Sequence, residues 1–174
     1  MTTVNGLPAH VLLVHAIVVL LPLSALLLVL TAAWPAARRS LAGANLVLAA
    51  ATVALTPVTT DAGEWLERRV PSSVVLRDHT ELGDTAVWAA LAVAATALAI
   101  WWRQREAGDR RTLLSRRVLA PGSTAVTAVI TVVAVAVAGL AVFDIYRIGD
   151  SGAKAAWQGR ITSTPAERQA PPRR

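Results

Sequence analysis

The residues of this sequence best suited to chemistry are three histidines, His10, His15 and His79, with a few carboxylates near them. Neutral imidazole binds iron, copper or zinc, and it exchanges protons near neutral pH. His10 and His15 are five residues apart, so on one helix they point about 140° away from each other. They cannot form the i,i+4 metal clip of an H-E-x-x-H helix, and each needs partners on other elements. His79 is the candidate partner for either one. His15 is the most informative of the three. It lies inside an apolar run, about 7.5 Å deeper than His10. Ionisable groups at such depth face a bundle interior or a cavity, so a ligand or proton-handling role is one reading. The other is a hydrogen bond to a neighbouring helix that stabilises packing. His79 stands at a polar helix start, where simple solvation is the plain alternative.

Asp144 falls within the last turns of another apolar run. It is spaced i,i+3 from Arg147, which makes a local ion pair its plain reading. Asp150 and Lys154 are similarly placed. Glu64 and Glu81 have the spacing of capping carboxylates. Other chemistry is missing. Cysteine is absent, which excludes disulfides, iron–sulfur clusters and thiolate zinc sites. No phosphate-binding glycine loop, nucleophile elbow or dinucleotide fingerprint occurs, so a non-enzymatic role is expected over an enzymatic one.

The elements that must position these residues are legible from hydropathy. Of the 174 residues 55% are hydrophobic and 16% charged, against about 25% charge in soluble domains. The apolar residues cluster in long runs, the pattern of membrane spans. Four spans are expected, at about 9–31, 41–60, 85–102 and 123–148, forming an all-α integral membrane four-helix bundle. Pro22 and the Thr56-Pro57 step interrupt the first two. A loop of roughly twenty residues separates the second and third spans. Its first part, Asp61 to Val70, predicts a short interfacial helix, with Asp61 and Glu64 as a capping box and Pro71 as the stop. Asp78 and Glu81 read as a second capping box opening the third helix. Residues 1–159 are expected to form the membrane domain and 160–174 a disordered, proline- and arginine-rich tail.

The net charge of +6 does not point to nucleic acid, because no aromatic-interleaved basic patch accompanies it. Arginines concentrate instead in the first and third connections, at Arg38 and Arg39 and from Arg103 to Arg117. The positive-inside rule places those connections in the cytoplasm and both termini outside a plasma membrane. Antiparallel alternation then gathers His10, His15, His79, Asp61, Glu81, Asp84 and Asp144 at one end of the bundle, whichever way the bundle is inserted.

Several stretches resemble a known family. The opening Leu7-Pro8-Ala9-His10-Val11-Leu12-Leu13-Val14-His15 is similar to the H-P-x-x-V-H signature of a bacterial membrane family. Leu55 to Leu66 (LTPVTTDAGEWL), His79 to Asp84 (HTELGD) and Tyr146 to Ala153 (YRIGDSGA) look like its actinobacterial branch. This is the four-helix family called domain of unknown function 2231, and the resemblance covers about Pro8 to Trp157. Val11 stands where the signature has proline after the first His. The resemblance implies a four-helix membrane domain with a suspected redox or haem role, and no established substrate.

The leading expectation is therefore an outer-face site for haem held by His10, His15 and His79. A transition metal held by the same three histidines and Asp144 is the variant of that site. The rival expectations are a structural or assembly subunit that docks a membrane-protein partner or its own copy, and a proton or small-ion pathway through His15 and Asp144. The lipid bilayer is the expected surrounding.

Overall fold

The structure, a computed structural model, describes residues 3–4, 6–108, 119 and 122–159. A hairpin of two-residue strands, β1 (Thr3–Val4) and β2 (Leu7–Pro8), turns through Gly6 at φ 79° and leads into the first helix. Five helices follow: α1 (Ala9–Ala33), α2 (Pro35–Glu67), α3 (Val74–Gly83), α4 (Ala86–Gly108) and α5 (Thr124–Trp157). Four are long and apolar enough to cross a membrane: α1, α2, α4 with α3 before it, and α5. They form a ring in which α1 and α4 each pack against both α2 and α5.

The buried positions explain this packing. On α2 they are Ala42, Asn45, Ala49, Thr52, Thr56 and Thr59, and on α5 they are Ala134, Ala138, Ala141, Ile145, Ile148 and Ser151. Steps of three and four keep one stripe facing the partner helices. Small residues dominate the stripes because lipid is as apolar as leucine, so association depends on close approach and interhelical hydrogen bonds. The buried threonines satisfy themselves: Thr52, Thr56 and Thr59 donate to the carbonyls of Leu48, Thr52 and Leu55. Midway through the bundle, the Asn45 amide donates to the Ser24 hydroxyl at 2.9 Å, and its oxygen faces the Leu28 N–H at 3.3 Å. Large apolar residues such as Val19, Leu26, Val47, Val132 and Leu140 face outward, as a bilayer requires.

The helices outrun the expected spans. At about 1.5 Å per residue, the 33 residues of α2 reach roughly 50 Å, well beyond a core of about 30 Å. The first connection shrinks to Trp34 alone. Arg38 belongs to the first turns of α2, and its guanidinium caps α1 by donating to the carbonyls of Thr31 and Ala32. Pro57 does not end α2, which continues through Asp61–Glu67. A short helix does separate the second and third spans, but it is α3 rather than Asp61–Val70. Asp61 and Glu64 sit in the last two turns of α2 and form no capping box. The real cap of α3 is Ser73, whose hydroxyl accepts from the Leu76 N–H. Asp78 and Glu81 therefore lie inside α3 and do not open the third span. The expected tail and Arg110, Arg111, Arg116 and Arg117 fall outside the described residues.

The end of the bundle opposite the histidines is tied by one buried cation. Arg103, only 2% exposed, donates to the carbonyls of Leu119 and Ser123 and to the Thr127 hydroxyl at 2.8–3.2 Å. It joins the end of α4 to the start of α5.

Candidate functional site

Antiparallel alternation brings the start of α1, the end of α2, all of α3 and the end of α5 to one face. Two of the three histidines meet other helices there. His10 opens α1, and its Nδ1 lies 3.0 Å from the Thr59 carbonyl on α2. A carbonyl only accepts, so Nδ1 carries the proton and donates. His79 lies on α3 with Nδ1 2.9 Å from the Ser151 hydroxyl on α5. That hydroxyl donates to the Ile148 carbonyl at 2.9 Å, so it accepts from His79 Nδ1–H. Both rings are thereby fixed as Nδ1–H tautomers, with the Nε2 lone pair left over.

Glycines make these contacts fit. A Cβ on Gly63 of α2 would stand 3.0 Å from Cε1 and Nδ1 of His10. A Cβ on Gly152 of α5 would stand 2.9 Å from Cε1 of His79. Each imidazole thus lies close against a helix backbone at a position that carries no side chain.

α3 precedes the apolar stretch of α4, carries Arg77, Asp78 and Glu81, and lies outside the membrane-spanning segments. Burial is the main cause that lowers the His79 pKa below the ordinary histidine value. The nearness of the His10 imidazole lowers it further, and a hydrogen bond to the Ile148 backbone partly opposes both. Neutral His79, the ligand form, is favoured.

The other expected members do not join. His15 is exposed, and its Nδ1 bonds back to the Val11 carbonyl of its own helix. It lies two residues before buried Ile17, about 200° around α1, so it faces away from the bundle. Asp144 is half-buried and accepts from the Thr85 hydroxyl at 2.9 Å, which ties α5 to the bend between α3 and α4. It lies seven residues before Ser151, about 10 Å deeper along the helix. The expected Asp144–Arg147 pair does not form; Arg147 stands over the Phe143 ring instead. Asp150 and Lys154 do pair, at 2.6 Å, and Glu64 and Arg68 at 3.5 Å. Among the described residues no group of three or more His, Asp or Glu is placed to hold a metal ion. The four-residue metal set is therefore not assembled, and what remains is two histidines at one end of the bundle, each hydrogen-bonded to a neighbouring helix.

Thr59, Gly63, Ser151 and Gly152 are the residues that sequence reasoning missed as site members. The signal available for two of them was an isolated glycine inside a helical pattern, which marks a close approach.

Comparison with family models finds one described as "Predicted membrane protein (DUF2231)", which matches residues 6–165. Comparison with curated proteins and with solved structures finds no match.

Proposed function

The chain belongs to the family of predicted membrane proteins designated DUF2231, and from that premise we propose that it is a multi-pass carrier of a redox metal centre bound through His10 and His79. One observation carries this reading. Both imidazoles spend their Nδ1–H on fixed acceptors of neighbouring helices and keep Nε2 as the free donor atom. Metal-ligating histidines are oriented in this way by their outer-shell partners. The donor count favours haem iron over a bare ion. A bare zinc ion needs about four protein ligands, whereas iron in a macrocycle needs only one or two. Haem held by these two histidines would supply one-electron transfer. The chain's own residues do the holding: Thr59 and Ser151 set the tautomers, and Gly63 and Gly152 admit the rings.

Purification in mild detergent tests this reading. The expected result is a Soret band at about one haem per chain. It is lost in His10→Ala and in His79→Ala and retained in His15→Ala and Asp144→Asn, with circular dichroism confirming that all four variants fold. A wild-type protein without a Soret band and without stoichiometric metal would sink the proposal.

The orientation completes it. Arg38, Arg39, Arg103 and Arg105 lie at the end opposite the histidines, which favours a histidine face outside the plasma membrane and outward termini. The chain lacks cysteine, so single introduced thiols report cleanly. Ser72→Cys is expected to react with an impermeant maleimide on intact cells, and Ala37→Cys only after permeabilisation. The reverse pattern would invert the topology.

A further inference from the structure

A second feature of the same face is a cleft of about 230 Å³ between α3 and α5, lined by Asp78, Tyr146, Arg147, Asp150, Ser151 and Lys154 among others. Its charges are unevenly matched. Lys154 and Asp150 hold each other at 2.6 Å. Among the described residues the Asp78 carboxylate makes no hydrogen bond or ion pair. Among the described residues the Arg147 guanidinium likewise makes no hydrogen bond or ion pair, and it stands 5.9 Å from the Phe143 ring centroid. One free anion on α3 and one free cation on α5 thus line a single cleft without reaching each other.

An occupant that is only an anion would meet Asp78 and Asp150. One that is only a cation would meet Arg147 and Lys154. A molecule carrying both charges on a short link satisfies the two free groups together, through charge-assisted hydrogen bonds. The cleft also lies at the end of the apolar stretch of α5, where the edge of a bilayer is expected. One turn below Arg147, α5 presents exposed Phe143, followed by exposed Leu140, toward the acyl region. Exposed Tyr146 marks the headgroup level.

We propose that the α3–α5 cleft binds a phosphate–ammonium zwitterion of the phosphoethanolamine class. Arg147 takes the phosphate and Asp78 takes the ammonium. The site does not depend on the histidine pair holding a metal centre. Because Ser151 lines the cleft and also accepts from His79, an occupant would meet the residue that holds the His79 ring.

The experiment uses the full chain in detergent doped with phosphatidylethanolamine or phosphatidylglycerol of identical acyl chains, with bound lipid counted by native mass spectrometry. Wild type is expected to retain phosphatidylethanolamine about tenfold over phosphatidylglycerol, the worth of one charge-assisted contact. Asp78→Asn is expected to bring that ratio to about one while phosphate binding persists. Arg147→Gln is expected to weaken both lipids. Both positions are exposed, and a far-ultraviolet circular dichroism spectrum checks that the variants fold. Competition by soluble phosphoethanolamine would show that the headgroup alone is recognised; its failure would show that the acyl chains are needed, and either outcome supports the cleft chemistry. A wild-type ratio of one, or a preference unchanged in Asp78→Asn, would overturn the proposal.

Discussion

Gly152→Ala is expected to lower the unfolding temperature, whereas Gly149→Ala, three residues earlier on the same helix, should leave it unchanged or raise it. The two glycines look equivalent in sequence. At Gly149 an added Cβ meets nothing within 4 Å, so alanine gains helix propensity worth about 0.5–1 kcal/mol. At Gly152 the same Cβ would stand 2.9 Å from His79 Cε1, closer than carbon atoms approach. Either the ring moves and leaves Ser151, or α3 moves with it. Forced overpacking of this kind costs about 1–3 kcal/mol, roughly 2–4 °C per kcal/mol for a domain of this size. The cause can be isolated. Adding His79→Ala removes the obstructing ring, so the double variant should recover most of what Gly152→Ala loses beyond the His79→Ala background. Purely additive losses would show that the ring is not what the glycine makes room for. Gly63 and His10 should behave as a second such pair.

Arg103→Ala should cause the largest single loss in the bundle. The side chain is 2% exposed and, among the described residues, donates to the Leu119 and Ser123 carbonyls and the Thr127 hydroxyl. Its removal takes a charged donor from the part-buried Leu119 and Ser123 carbonyls, and each hydrogen bond to a charged group is worth about 1.5–3 kcal/mol. A total of about 3 kcal/mol, or roughly 6–12 °C in detergent, is expected. Arg103→Lys should recover less than half. A lysine carries one compact ammonium and cannot reproduce the planar fork that spans separated acceptors. Full stability in Arg103→Lys would mean that charge matters there and geometry does not. The haem reading predicts nothing about this site, so its failure would leave the Arg103 result standing.

How much could be read before folding differs from element to element. Four spans, their antiparallel order and the common face of His10, His79 and Asp144 follow from hydropathy runs alone, because lipid imposes one strong rule on every spanning segment. Helix ends were less legible. Asp61–Glu67 carries a capping pattern, yet it continues α2, because intact intrahelical hydrogen bonds outweigh a local alternative. The short helix was expected, but its position was decided by the Ser73 cap.

The site divides in the same way. That histidines gather at one end was determined by sequence order and alternation, which need no side-chain detail. Which of them meet was decided only by tertiary structure. Rotation about α1 turns His10 toward α2 and His15 outward, and that rotation is set by the buried stripe from Ile17 to Ala32. Gly63 and Gly152 show the limit most clearly. A glycine carries no pattern of its own, and its role exists only once the backbone of one helix lies against the imidazole of another.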